Sequence, residues 1–288
     1  MKGKFGFSGF GHLNQPIPTV RSINYRFGFI GVGNMGGALA KAASRSTKQI
    51  ILCDQDAEKA ANLAQRLDCE FADIRTVTAE SEYVFLGVKP QMMADMLASV
   101  KDALACRDDI ILVTMAAGLS IETIRTLAGG AFRTIRIMPN TPVEVGEGEI
   151  LYSPAENVAQ DELDEFLRLM HYAGKLTAIP ESLMDAGCSL SGCGPAFVFK
   201  FIRALAQGGM NAGIDEATAI ELAAQTVVGA AKLLTASPLD PETLIRNVCS
   251  PGGSTIEGVK SLDSDDFEAV VAKAVGKSYA RNLELGKS

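Results

Sequence analysis

The sequence predicts an α/β protein, with an open, doubly wound and mostly parallel sheet in its amino-terminal half and an all-helical domain after it. Three observations carry this. Short apolar runs alternate with helical stretches from Phe27 to Met138, the pattern of right-handed crossovers that cover both faces of a sheet. A glycine-rich turn, Gly31-Val32-Gly33-Asn34-Met35-Gly36, separates the first run from the first helix. After about Pro180 only helical spacing remains. A chain of 288 residues is long enough for two cores. The expected division is an extension over residues 1–26, a sheet domain over 27–182 and a helical domain over 183–288.

In order, Phe27 to Ile30 reads as the first strand, and the Ala-rich stretch from Ala38 to Ala43 lies in the helix after the turn. Gln49 to Cys53 is the second strand, ending at Asp54. Ala57 to Leu67 has helical spacing, with Ala60, Leu63, Ala64 and Leu67 on one face. Tyr83 to Val88 is a third strand, closed by Lys89-Pro90, and Asp109 to Thr114 a fourth. Ala116-Ala117-Gly118 and a capping Ser120 follow. Phe132 to Met138 is a fifth, stopped by Pro139. Beyond the strands, Pro195 to Asn211 reads as a helix with proline in its first turn. Asp215 caps a second helix running to about Thr235, and its apolar residues lie nearly all round, so it is expected to be buried on every side. One chain of this size cannot supply that cover, which predicts a homodimer or a multiple of dimers. Asp240-Pro241-Glu242 starts a third helix, Thr255 a short fourth, and Asp266 to Leu285 forms a fifth.

Composition narrows the function. A net charge of −7 disfavours nucleic acid and anionic membrane surfaces as partners. No stretch of roughly 18 uncharged apolar residues occurs; the longest candidate, Ala217 to Leu234, is interrupted by Glu221, Gln225 and Lys232. Six cysteines without a C-x-x-C pair read as reduced thiols and predict a cytoplasmic protein. With only His12 and His171 present, a histidine-centred metal site or triad is not expected. Residues 1–26 hold four basic side chains, no acidic ones and no continuous apolar stretch, and are read as a non-native or alternative-start extension.

The string Gly31-x-Gly33-x-x-Gly36 follows a strand, opens a helix, and is followed 18 residues after Gly36 by Asp54 at the end of the next strand. That context makes it a Rossmann-type dinucleotide fingerprint. The glycines let the backbone turn tightly and approach a pyrophosphate seated on the helix start, so Gly31, Gly33, Asn34, Met35 and Gly36 are candidate cofactor-binding residues. Asp54 suits the free 2′-hydroxyl of NADH and would repel the 2′-phosphate of NADPH. Gln55 and Asp56 offer that phosphate no cation, and Lys59 is expected about a helical turn away. Either cofactor is admitted, with NADH favoured.

Further strings stand out: Val88-Lys89-Pro90, Met138-Pro139-Asn140-Thr141-Pro142, Leu190-Ser191-Gly192-Cys193-Gly194-Pro195-Ala196, Gln207-Gly208-Gly209 and Ser250-Pro251-Gly252-Gly253-Ser254-Thr255. With Gly28 to Gly36, they closely resemble the Δ1-pyrroline-5-carboxylate reductase family, from about Phe27 to the end of the chain. The resemblance implies hydride transfer to the C=N bond of a small cyclic imino acid, giving L-proline. On the residues themselves, Ser250 reads as a capping serine and Pro251 as the first helical residue. The exposed N–H groups that follow suit a carboxylate, and the Thr255 hydroxyl suits the ring nitrogen. Thr255 and Ser250 are therefore the candidate catalytic residues, with Gly252, Gly253, Ser254, Ser191, Cys193 and Pro195 binding substrate. By resemblance, Met138, Pro139 and Asn140 border the nicotinamide, as do Val88, Lys89 and Pro90; Ala116, Ala117 and Gly118 read as a close backbone approach.

Two departures from the family pattern are visible: Cys193 stands where many relatives carry serine, and the linker Ala236 to Pro241 has unusual spacing. The absence of a suitable histidine fits imine reduction better than alcohol oxidation, which needs a base. The competing readings are a β-hydroxyacid dehydrogenase-like oxidoreductase, with Lys200 or Lys232 as acid–base, and a non-catalytic NAD(H)-binding sensor.

Overall fold

The computed structural model describes residues 23–285. The expected extension falls mostly outside the described residues, but Tyr25 and Arg26 already belong to the first strand. In chain order the first elements are β1 (Tyr25–Ile30), α1 (Asn34–Ala43), β2 (Ile50–Cys53), α2 (Ala57–Leu67), β3 (Glu70–Phe71), α3 (Ile74–Glu80), β4 (Ser81–Leu86) and α4 (Met93–Ala105). There follow β5 (Ile111–Thr114), α5 (Ile121–Ala128), β6 (Arg133–Met138), β7 (Gly148–Pro154), α6 (Gln160–Met170) and β8 (Gly174–Ala178). The remaining elements are helical: α7 (Met184–Gly187), α8 (Gly194–Asn211), α9 (Glu216–Ala236), α10 (Pro241–Val248), α11 (Ser254–Ser264) and α12 (Phe267–Leu285). A π-helical turn, Cys188–Gly192, joins α7 to α8.

One sheet holds all eight strands in the order β3-β2-β1-β4-β5-β6-β7-β8. Strands β1 to β6 are mutually parallel; β7 pairs antiparallel with β6, and β8 runs parallel to β7. The inner strands are buried on both faces, which is why they read as continuous apolar runs without alternation. Phe27, Phe29, Ile50, Leu52, Tyr83 and Phe85 face α1, α2 and α6, while Ile30, Ile51, Val84, Leu86 and Leu112 face α3, α4 and α5. An aromatic cluster centres the first face: Phe29 stacks on Phe85 with centroids 4.3 Å apart, and the Tyr83 hydroxyl donates to the Glu162 carbonyl at 2.7 Å. Burial, then the nearby Glu82, Glu165 and Glu162, push the Tyr83 phenol well above its ordinary range, so it remains a donor.

Local signals behave as sequence chemistry dictates. Asp56 and Ser120 cap α2 and α5 by accepting from the N–H three residues on, and Asp215 and Asp240 do the same for α9 and α10. The third strand begins and ends two residues earlier than the Tyr83–Val88 expected, because the chain turns at Gly87. Seven elements escaped the pattern: β3, α3, α4, β7, α6, β8 and α7. Strands β7 and β8 together carry the sheet two strands beyond β6, the last one expected.

The described residues divide into two compact units, 23–192 with 279–285, and 193–278. The first keeps α7 and the π-turn because Met184 is fully buried with Met138 and Leu151. In the second, α8 packs along α9 around Ala206, Ala219 and Ala223. Ala219 and Ala223 are the only buried residues of α9, so the expected all-round burial is not met within a single chain. Phe199, Leu205, Ile220, Leu222, Leu233 and Val270 are exposed. Among the described residues, α9 is also the one helix long and apolar enough to cross a membrane by length and composition.

At the amino-terminal edge of the sheet, Arg107 pins the α3–β4 junction. Its buried guanidinium donates to the carbonyls of Thr78, Ala79 and Ser81 and pairs with Asp109. Two of those carbonyls lie in the last turn of α3, where intrahelical partners run out. Arg107→Met keeps the aliphatic bulk and strips these acceptors of their donors, at about 1–3 kcal/mol each. Urea unfolding is expected to show a destabilisation of about 3 kcal/mol or more; an unchanged midpoint would contradict this role.

Candidate active site

The cleft lies at the carboxyl edge of the sheet, between β1 and β4, where strand order reverses. Its floor is made by two backbones that touch. Gly31, at φ +93°, donates to the Cys53 carbonyl at 2.8 Å, and Gly87 donates to the Ile30 carbonyl at 2.7 Å. A Cβ on Gly31 would sit 2.7 Å from the Gly87 carbonyl carbon, and one on Gly36 would sit 2.1 Å from the Gly31 oxygen. Gly36 is thus needed for α1 to close on β1. Gly33 differs: the nearest atom to a Cβ there is Lys59 Nζ, at 4.0 Å. Space is therefore open over Gly33, and Asn34, Met35 and Gly36 present their N–H groups at the start of α1. The residues present fit a dinucleotide pyrophosphate.

Asp54 stands at the rim just after β2. Its Oδ2 accepts from Val32 N at 2.8 Å and its Oδ1 from Asp56 N at 3.1 Å. The carboxylate therefore shapes the glycine loop as well as facing the cleft. Lys59 corrects the sequence reading: placed in the first turn of α2, its long side chain reaches back so that Nζ lies 3.5 Å from Asp54 Oδ2. The cleft encloses about 180 Å³, with Val88 and Lys89 on the β4 side and Met92 and Met96 deeper. Pro90 starts a 3₁₀ turn there, with Lys89 extended before it. Cys53 lines the wall; burial, then Asp73 and Asp54, push its thiol up to about 12, so it is a neutral apolar surface at physiological pH.

Further along the same edge, Ala116-Ala117-Gly118 forms a turn after β5, with Gly118 at φ +77°. Met138 and Pro139 are buried. Asn140 is buried too, and its carboxamide is used internally: Oδ1 accepts from Glu149 N at 2.9 Å and Nδ2 donates to the Ser191 carbonyl at 3.0 Å. These two bonds fasten the loop after β6 to β7 and to the π-turn. The Ser191 hydroxyl in turn donates to the Gly187 carbonyl at 3.0 Å.

In the second unit, Cys193 precedes α8 and Pro195 lies in its first turn. The Ser250–Thr255 segment differs from expectation in detail. Ser250 is not the cap and Pro251 is not the first helical residue. Both lie in a turn closed by Gly253 N donating to the Ser250 carbonyl at 3.0 Å, with Gly252 at φ +72°. The cap position of α11 falls to Gly253, which has no side chain to close it. Ser254 and Thr255 occupy the open first turn of an 11-residue helix, and both are exposed. Lys200 and Lys232 are exposed on α8 and α9.

The family profile for pyrroline-5-carboxylate reductase dimerisation matches residues 181–285, and that for coenzyme F420-dependent NADP oxidoreductase matches residues 26–118. The pyrroline-5-carboxylate reductase of Aquifex aeolicus is 36% identical, over 91% of this chain and 98% of its own length. That of Escherichia coli is 32% identical, over 91% and 99%. The chain belongs to the pyrroline-5-carboxylate reductase family. Solved structures agree in fold. The Coxiella burnetii enzyme superposes with a TM-score of 0.85 at 27% identity, covering 92% of this chain and all of that one. The Plasmodium falciparum reductase, solved with NADP bound, gives 0.81 at 26%, covering 92% and 99%.

As a pyrroline-5-carboxylate reductase, the chain keeps its nucleotide loop on the first unit and its serine–glycine helix start on the second. Gly87, Cys53, Gln55, Met92 and Met96 line the cleft without having been singled out from sequence. Gly87 carried a usable signal, a glycine directly after a strand in a protein of this class. The methionines carried none, since a Met on a helix reads as core.

Proposed function

We propose that this chain reduces L-Δ1-pyrroline-5-carboxylate to L-proline, using NADH or NADPH. The observation that carries the reading is that the likeness to pyrroline-5-carboxylate reductases runs through both units, over more than nine-tenths of the chain. When bound, the nicotinamide supplies the hydride. Gly31, Gly33, Asn34, Met35 and Gly36 hold the pyrophosphate, and Asp54 accepts from the ribose hydroxyls. Val88, Lys89 and Pro90, the Ala116-Ala117-Gly118 turn, and Met138 with Pro139 shape the nicotinamide end; Asn140 acts by fixing that loop. Gly252, Gly253 and Ser254 offer N–H groups at the start of α11 to the substrate carboxylate, aided by Ser191, Cys193 and Pro195. Ser250 shapes the turn before them, and the Thr255 hydroxyl meets the ring nitrogen.

Little acid–base work is needed. The pyrroline nitrogen is protonated near neutrality, so hydride adds to the ring carbon of an iminium and the nitrogen keeps its proton. Orientation and charge anchoring account for the catalysis. NADH is the preferred donor, because a carboxylate at the end of the second strand suits a free 2′-hydroxyl and repels a 2′-phosphate. The apolar surface left open on α8, α9 and α12 is covered by a second copy, giving a homodimer or a multiple of dimers. The free thiols of Cys53, Cys69, Cys106, Cys193 and Cys249 support a cytoplasmic setting.

Steady-state assay of both nucleotides with the pyrroline tests the reading. Turnover with a higher kcat/KM for NADH is expected. No turnover with either nucleotide contradicts the activity, and an NADPH preference of about tenfold, ~1.4 kcal/mol, contradicts the role given to Asp54.

Thr255 separates substrate contact from helix capping. Thr255→Ala is expected to lower kcat/KM at least tenfold with NADH affinity unchanged, and Thr255→Ser, which keeps the hydroxyl, to recover most of the loss. Normal kinetics in both variants would remove Thr255 from the site. A serine variant as impaired as the alanine one would point to packing by the methyl group.

A further inference from the structure

At the rim of the cleft, Asp54 holds an ion pair with Lys59. Asp54 is fixed by its bonds to Val32 N and Asp56 N, and its side chain is only 15% exposed. Its partner Lys59, 3.5 Å away, is 45% exposed on a flexible stem. The same ammonium is the nearest group to the open space over Gly33. Lys89, the lysine that lines the cleft itself, follows β4, on the far side of β1 from Asp54. A carboxylate alone at this place rejects a 2′-phosphate, whereas an ammonium is a compact charge that turns readily from one acceptor to another.

We propose that Lys59 determines cofactor specificity: its ammonium turns from Asp54 to the 2′-phosphate of NADPH, so that the Asp54–Lys59 pair admits both nucleotides. With a 2′-hydroxyl present, Asp54 accepts from it and Lys59 stays paired. With a 2′-phosphate present, the ammonium lies between two anions and offsets their repulsion. This rests on the NAD(P)H reading of the cleft.

Calorimetric titration tests it without turnover. The ligands are NADH, NADPH, 5′-AMP and adenosine 2′,5′-bisphosphate, and the proteins are wild type, Lys59→Met and Lys59→Arg. Lys59→Met is expected to raise Kd for NADPH and the bisphosphate at least tenfold more than for NADH and AMP, and Lys59→Arg to restore most of the difference. The backbone N–H of Lys59, not its side chain, serves the Asp56 cap, so α2 is expected to survive both changes. Equal weakening of all four ligands would place Lys59 on the shared phosphate and overturn the proposal. Unchanged affinities would also overturn it. A wild-type protein that binds neither nucleotide would instead overturn the cofactor reading beneath it.

Discussion

The carboxyl edge of the sheet depends on the contact between two backbones, Gly31 after β1 and Gly87 after β4. A side chain on either meets the other's backbone: a Cβ on Gly87 would lie 2.3 Å from the Gly31 oxygen. Because these strands end so close together, the chain leaves them in opposite directions, one toward α1 and one toward the Lys89-Pro90 turn. The crevice opens between those departures. Gly36 lets α1 descend onto the same point, which brings the helix start over the cleft. Asp54 then ties the glycine loop down through Val32 N. A conformational requirement at a few glycines thus fixes where a nucleotide can lie.

A second fastening lies further along the edge. Asn140 joins the loop after β6 to the first residues of β7 and to Ser191 in the π-turn. Arg136 in β6, four residues before Asn140, reaches Glu181 and Asp185 at 3.2 and 3.3 Å. Glu181 also accepts from Ile121 N at the start of α5. The segment that leads out of the first unit is therefore held by partly buried polar contacts, whose removal would leave unsatisfied groups behind. The second unit is built differently. Its own core is three alanines with Ile202 and Met210 against them, and much of its apolar surface stays exposed, which suits a family whose matching profile is one of dimerisation.

Much of this was legible in the sequence, for physical reasons that differ by element. The inner strands announce themselves because burial on both faces demands unbroken apolar runs, as in Ile50–Cys53 and Ile111–Thr114. The caps at Asp56, Ser120, Asp215 and Asp240 announce themselves because an orphan N–H needs an oxygen. Strands β7 and β8 did not, since Gly148–Pro154 and Gly174–Ala178 mix polar and apolar residues at a sheet edge. Three misreadings share one cause, the reach or direction of a side chain, which spacing alone does not reveal. Lys59 folds back to Asp54, Asn140 turns inward, and Ser250 yields the cap to Gly253.

The central claim is that a hydride passes from the nicotinamide to the imine carbon of the pyrroline. Isotope transfer tests it most directly. NADH deuterated at the transferable position, on each face in turn, is incubated with the protein and the pyrroline, and the proline formed is analysed by mass spectrometry and NMR. A single deuterium is expected, delivered from one face only, on the ring carbon that carried the double bond. Proline without label from either face, or label spread to other positions, would contradict it.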